Sequence, residues 1–439
     1  MHGSELLAEP SPEGRPGHGP ARRAARFPTT TELVAAARAL TERHPLHCRL
    51  RRVGTSRGGA PLLLLSVGRG SRSVLVVAGA HANEPVGGAT IRYLAERLCR
   101  RPETHEEEDT RWHFLLCLDP DGARRNDPWI RDGATGLPAY YRRFFRPCST
   151  EQPEWLPPPG GGAPLPETRA LTALLDDLRP VLQCSLHGVE LGGSWVQLTR
   201  PLPGLGGPLR AHADARGIPL ERGPFDAFYW DSPEPGTYLM PPPGRPDQFG
   251  ALPDETARST WFHPWRYGTL TGVVEVPMWA DPRVEDTAPH PAAGPALAAV
   301  SARLREQCAR VTGLLPAVRT GRPAADLLLP ALTETLTVAP GLAAAWDPVG
   351  PPGDGPPLPP MTRARVAALD VAGRRLTLRA AGLLLQALDG DQPEHATVRR
   401  LIDDWCAEYR RSARPVPVAD QVAHQAGVVL ALADRALHA

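Results

Sequence analysis

The stretch Ser73-Val74-Leu75-Val76-Val77-Ala78-Gly79-Ala80-His81-Ala82-Asn83-Glu84-Pro85-Val86-Gly87-Gly88 decides how this chain is read. An apolar run of strand length, Ser73 to Ala78, ends in small residues, and helical spacing follows over Ala89 to Cys99. Between them stand His81 and Glu84. Side chains three apart on a single turn share a face, so an imidazole and a carboxylate placed there can hold one metal ion together.

The spacing alone is weak, because His105-Glu106-Glu107-Glu108 repeats it. That copy lies in a charge run with no strand before it and reads as solvated surface. The copy at His81 follows a buried strand, where an unpaired carboxylate is costly. A second strand, Val181 to Leu186, ends at His187-Gly188. Two imidazoles and one carboxylate leave the fourth position of a zinc ion open, the pattern of a catalytic rather than a structural site. A third signal is Glu275 in Gly272-Val273-Val274-Glu275-Val276-Pro277-Met278-Trp279, a charge inside an apolar strand. Such carboxylates are rare unless paired or functional. Beside a metal-activated water Glu275 makes a general base; on an edge strand facing solvent it would do nothing.

Around these motifs the chain alternates strand and helix. Thr29 to Arg43 reads as a helix behind a Thr-rich cap, Cys48 to Val53 and Ala60 to Val67 as strands, and Trp112 to Leu118 as another. Asp119-Pro120-Asp121-Gly122 reads as a turn, followed by an irregular stretch to about Pro166, then a helix to Leu178. Leu270 to Val276 is the last strand. The alternation predicts an α/β sheet covered by helices on both faces, with functional groups at strand ends. Beyond Pro291 the spacing turns helical over Ala296 to Leu314, Met361 to Leu388, Ala396 to Arg411 and Val418 to Leu437. The expected organisation is a loose N-terminus over 1–27, a catalytic domain over 28–290, and a helical extension over 291–439 with a Pro/Gly linker at 348–360.

The 439 residues carry a net charge of +1, which excludes the basic field of a nucleic-acid binder. All 49 basic residues are Arg, so no single Arg stands out. Seven scattered cysteines without a CxxC give neither a disulfide framework nor a thiolate zinc site. No apolar h-region opens the chain and no run approaches a membrane span, so the expectation is a cytoplasmic protein with no membrane partner.

From about Leu62 to Trp279 the order of motifs resembles the funnelin-type zinc metallocarboxypeptidases, with the related succinylglutamate desuccinylase and aspartoacylase branch. The resemblance implies a mixed, mostly parallel sheet between helices and one Zn2+ per chain, held by His81, Glu84 and His187. It makes Glu275 the catalytic glutamate. The family's Pro-Asp-Gly turn with a following Arg and Asn matches Pro120-Asp121-Gly122-Ala123-Arg124-Arg125-Asn126, which gives Arg124 the oxyanion-stabilising position. Pro166 to Leu171 matches the helix before the third ligand. The family's Asn-Arg pair for the substrate carboxylate falls on Tyr141-Arg142-Arg143-Phe144, with Tyr in place of Asn. Arg142, Arg143 and Asn126 are the substrate-binding residues this implies. The family's substrate-contacting Tyr is missing from Gln248 to Pro253, and Tyr229, Tyr238 and Tyr267 are the available substitutes. Uncharged Thr260 near the specificity position argues against strict preference for a charged terminal residue.

The implied activity is zinc-dependent amide hydrolysis, removal of a C-terminal residue from a small peptide. The alternative is deacylation of an N-acyl amino acid, suggested by Asn83 in the His-x-Asn-Glu motif and the short span from Glu84 to His187. An inactive binding protein is the third reading. In the first two, the substrate is a small peptide or acyl-amino acid with a free carboxylate.

Overall fold

A computed structural model of the chain describes residues 26–101, 109–133, 136–158, 160–242, 256–349 and 357–438. The N-terminal segment over 1–25, the His105 copy of the motif, Gln248 to Pro253 and most of the 348–360 linker lie outside these residues.

Nine strands form one mixed sheet: β1 (Cys48–Thr55), β2 (Pro61–Val67), β3 (Arg72–Val77), β4 (Thr110–Leu115), β5 (Leu182–Gly192), β6 (Trp195–Leu198), β7 (Thr237–Leu239), β8 (Leu270–Ala280) and β9 (Arg414–Pro415). Their order is β1-β2-β4-β3-β5-β8-β6-β7, with β9 on β8. The four central strands β4, β3, β5 and β8 run parallel; β2 and β6 flank them antiparallel. All eleven residues of β5 and of β8 are buried, the continuous runs expected of parallel strands covered on both faces.

The helices are α1 (Thr30–Arg43), α2 (Val86–Arg100), α3 (Pro120–Arg131), α4 (Leu137–Tyr141), α5 (Pro166–Leu178), α6 (Gly206–Asp214), α7 (Ala293–Leu314), α8 (Pro323–Trp346), α9 (Arg363–Ala387), α10 (Pro393–Tyr409) and α11 (Val418–His438). Helix α1 starts as its sequence demands: the Thr29 side chain and Glu32 form a reciprocal capping box. Apolar residues of α1, α2, α6 and α11 pack on one face of the sheet, while Leu171, Leu174 and Leu175 of α5 pack on the other. The α/β architecture with a helical C-terminal region is as expected.

Four local readings change. Asp119-Pro120-Asp121-Gly122 is not an isolated turn but the start of α3: Asp119 accepts a hydrogen bond from the Gly122 N–H, and Pro120 fills the first position, where its missing N–H costs nothing. The chemistry of a turn and of a helix cap is the same, and the apolar Trp129 and Ile130 decide for the helix. Strand β5 does not stop before His187 but continues to Gly192, because β8 pairs with it throughout. Helix α8 is absent from the sequence reading; its internal Pro330 and Pro340 conceal it. Contrary to the expectation that no run approaches a membrane span, α8 is long and apolar enough to cross one, although here it packs on α7 and α9.

The last helix is no appendage. Helix α11 lies against α2, β5 and β8. Its Gln425 donates to the backbone carbonyls of His187 (2.8 Å) and Val274 (3.1 Å), and accepts from the Thr90 hydroxyl (2.8 Å). Its His424 faces the Ser194 hydroxyl at 2.6 Å, and that hydroxyl donates to the Glu275 carbonyl at 2.7 Å.

Candidate active site

Three segments meet at the C-terminal end of the central strands. The turn after β3 presents His81 and Glu84; it is held by backbone bonds from Leu118 to Ala78 and from Asp119 to Gly79. Gly79 takes a left-handed φ of 63°, and a Cβ there would meet the Cys117 sulfur at 2.6 Å. At the start of α2, a Cβ on Gly87 would lie 3.0 Å from both Ala78 and Leu186, so a side chain there would push the turn off β5. His187 on β5 stands in register with Glu275 on β8.

The distances describe a preformed ligand set. His81 Nδ1 lies 3.0 Å from Glu84 Oε1, His187 Nδ1 lies 3.2 Å from Glu84 Oε2, and the two Nδ1 atoms are 3.1 Å apart. One ligand atom from each of the three residues falls within 4.8 Å of the others. The outer nitrogens turn toward Glu154, with His187 Nε2 at 3.1 Å from Oε1 and His81 Nε2 at 3.6 Å from Oε2. Glu154 Oε1 also accepts from Ser185 (2.6 Å) and from the Trp261 indole (2.8 Å). A carboxylate behind the imidazoles orients metal-ligating histidines and fixes which nitrogen stays free for the ion. Here one carboxylate faces both rings, and both Nδ1 atoms point inward. Two imidazole nitrogens and one carboxylate converging in this way suit a divalent cation, although the Arg146 guanidinium and the Gly188 N–H also reach Glu84.

The electrostatics reflect the crowding of charged groups. Burial would raise Glu154, but His187, His81 and Ser185 hold it down at about 2. His187 is pushed up, against its burial, by Glu154 and Glu84, whereas burial and the Arg146 charge hold His81 down. Glu275 lies 3.9 Å from His187, and its Oε2 has no hydrogen-bond partner among the described residues. Burial lifts its carboxyl to about 8.

Residues 33–136 match the family model of the zinc carboxypeptidases. Over these residues, about a quarter of the chain, the protein is similar to the zinc carboxypeptidases. The match spans His81 and Glu84; His187 and Glu275 lie beyond it and enter through the fold. Among solved structures, bovine thrombin-activatable fibrinolysis inhibitor, in complex with tick carboxypeptidase inhibitor, is 14% identical over 57% of this chain and 86% of that one, with a TM-score of 0.39. A metallo-carboxypeptidase from Burkholderia cenocepacia is 16% identical over 58% and 61%, with a TM-score of 0.38. Likenesses this distant carry no functional argument. No curated protein matches the chain.

The arginines of this carboxypeptidase-like chain depart from the family pattern. Arg124 is exposed on α3, with Asp121 4.0 Å away, and among the described residues it makes no contact with the triad or Glu275. Arg142 pairs with Asp403 on α10, and Arg143 with Asp132. Asn126 is buried and structural: its amide donates to the carbonyls of Ala82 (2.8 Å) and Phe145 (2.9 Å), and its oxygen accepts from the Trp129 indole. It therefore steadies the backbone beside His81 rather than facing a substrate.

The sequence reading missed other cations. Arg146 Nη1 reaches Glu84 Oε1 at 2.8 Å and Asn83 at 3.3 Å, and Nη2 reaches Gln152 at 3.2 Å. On β5, three residues past His187, the fully buried Glu190 accepts from Asn83, Tyr140, Arg375 and Arg379. Arg375 and Arg379 come from α9, in the C-terminal region. None of these residues left a sequence signal, since Glu190 lies beyond the strand the sequence reading ended at Leu186.

Proposed function

We propose that the chain hydrolyses an amide bond next to a free carboxylate, as a carboxypeptidase acting on small peptides. The convergence of His81 Nδ1, His187 Nδ1 and the Glu84 carboxylate, with both outer nitrogens turned to Glu154, carries this reading. These three residues would hold one zinc ion per chain. When bound, zinc supplies a Lewis acid that polarises the scissile carbonyl and makes water a nucleophile near neutral pH.

Glu275 is the general base. Its unpartnered oxygen is free to take a proton from the attacking water and hand it to the leaving amine. A carboxyl lifted toward neutrality by burial suits that shuttle, and a cation on the triad lowers it toward the ionised form. Arg146, the guanidinium that touches the triad, takes the charge-stabilising place that the family pattern gave to Arg124. Glu154 bonds the outer nitrogen of His187 and, at 3.6 Å from His81 Nε2, favours the ligating tautomer of the second ring through its charge.

A second reading, deacylation of N-acyl amino acids, is favoured by one observation: the residues at the family's Asn-Arg position are turned away, Arg142 to Asp403 and Arg143 to Asp132. Hydrolysis of acetylated dipeptides against acetyl amino acids separates the two. The primary test is Glu275→Gln. It should keep about one zinc per chain and lose turnover by roughly 100- to 10,000-fold; a variant that stays active places the base elsewhere.

A further inference from the structure

Seven scattered cysteines imply no disulfide framework, yet the fold brings two of them together. Cys48 is the first residue of β1 and Cys99 stands in the last turn of α2, 51 residues further on. Their sulfurs are 3.1 Å apart. Among the described residues no other two cysteine sulfurs are in contact. Both side chains belong to the apolar core between the sheet and helices α1 and α2, where cysteine often serves as a small apolar filler. Packing alone does not account for the approach. Sulfur is larger than carbon, whose non-bonded contacts sit at about 3.5–4.0 Å, and a thiol is a weak hydrogen-bond donor. A disulfide bond is about 2.05 Å long, so a movement of about 0.5 Å by each sulfur closes the gap.

The two positions are also ones where a covalent tie has an effect. Strand β1 is the edge of the sheet, paired among the described residues with β2 alone. Between them the cysteines bracket β1, β2, β3, the turn that carries His81 and Glu84, and most of α2. Cross-linking so long a loop restricts the unfolded chain strongly. The pair is chemically unequal. The hydrogen bond from Cys99 lowers the Cys48 thiol against its burial, and the Arg43 charge adds to this. The same bond, together with burial, raises Cys99. Cys48 therefore supplies the thiolate.

We propose that Cys48 and Cys99 form a redox-modification site, a dithiol that a small peroxide converts to a disulfide tying the edge strand to the end of α2. The Cys48 thiolate attacks one oxygen of hydrogen peroxide; an S–O bond forms, the O–O bond breaks and hydroxide leaves. The Cys99 sulfur then attacks the sulfenic sulfur of Cys48, the S–O bond breaks, and the Cys99 proton leaves with the departing hydroxide as water. Two thiols are oxidised to one disulfide and one peroxide is reduced to two waters. The bond lies a helix length from the Glu84 end of α2, about 22 Å for its 15 residues. The inference does not depend on the hydrolase reading.

The test treats the reduced full-length chain with hydrogen peroxide, quenches with catalase, alkylates with N-ethylmaleimide and digests with trypsin in the absence of reductant. The expected product is a cross-linked pair of the peptides His44–Arg49 and Leu98–Arg100, separated again by dithiothreitol. Oxidation should raise the thermal midpoint by roughly 2–4 °C, and the rise should be absent in Cys99→Ala. The same treatment in urea should scatter the pairing, because the fold no longer selects the partner. The cross-link is read on the wild-type chain, so it stands whether or not the variant folds. Recovery of both peptides alkylated, or as sulfinic or sulfonic acid without a cross-link, overturns the proposal, as does linkage of Cys48 or Cys99 mainly to another cysteine. A cross-link with no rise in midpoint overturns its role as a tie.

Discussion

Replacing Glu154 by Gln keeps the size of the side chain and removes its charge, so it asks whether one carboxylate fixes both histidines. Oε1 of Glu154 receives Ser185, Trp261 and His187 Nε2, at 2.6, 2.8 and 3.1 Å. If the Gln oxygen keeps these three donors, its amide nitrogen takes the place of Oε2, 3.6 Å from His81 Nε2. Two N–H groups cannot face each other, so His81 moves its proton to Nδ1, the atom that should ligate. The flipped amide instead sets its N–H groups against Ser185, Trp261 and His187. Either way one imidazole is lost or misoriented. Removal of an outer partner typically weakens metal affinity about 10- to 100-fold, or about 1.4–2.8 kcal/mol at about 1.4 per tenfold. Glu154→Asp keeps the charge on a shorter arm and should fall between. Competition with a chromophoric zinc chelator measures the constants, with circular dichroism as the control for folding. A zinc affinity for Glu154→Gln equal to wild type would refute the argument and mean that the tautomers are set elsewhere.

Other groups give tests of their own. Gln425→Leu removes the donor to the carbonyls of His187 and Val274, and leaving buried carbonyls unpaired costs about 1–3 kcal/mol; denaturant unfolding should register the loss, and zinc affinity should fall with it, since α11 holds the backbone of a ligand. Unchanged stability and affinity would make α11 a bystander. Glu221 is buried, lifted to about 8 by that burial, and bonded by the Gly193 N–H at 2.8 Å. Its folded pKa exceeds its unfolded one, so it favours the native state fully below about pH 4.5 and progressively less as pH rises toward 8. Glu221→Gln should therefore flatten the stability profile over that window and raise stability at pH 8 by up to a few kcal/mol, at about 1.4 per pKa unit; an unaltered profile would locate the titration in another group.

The candidate metal ligands and the proposed base were legible because burial makes polar residues conspicuous. Glu275 interrupts an apolar strand, and His187, His81 and Glu84 stand at strand ends, so the cost of burying them marks them. Their supports were not legible, for reasons that differ by residue. Glu154 lies in an irregular segment without periodicity, and only the tertiary fold brings it under the imidazoles, 33 residues from His187 in sequence. Arg146 and Arg375 are hidden by composition, because every basic residue in the chain is Arg. Helix α3 was hidden because its first residues are also turn residues. Local chemistry identifies a residue that is costly where it stands, but not the partner that offsets the cost.

That limit bears on how the two halves of the chain divide the work. The segment matching the zinc carboxypeptidases ends at residue 136 and supplies His81 and Glu84. Strands β5 and β8 supply His187 and Glu275, but neither strand is held by the matched segment alone. Gln425 of α11 bonds the His187 carbonyl, and His424 reaches the Glu275 carbonyl through Ser194. Glu190, on the same strand as His187, is neutralised by α9 and not by any cation of the sheet. A fully buried carboxylate without those guanidinium groups would cost several kcal/mol and draw β5 toward solvent. The C-terminal helices are therefore part of what makes the strand that carries His187 stable where it is. Truncation after residue 290 removes the charge that Glu190 requires.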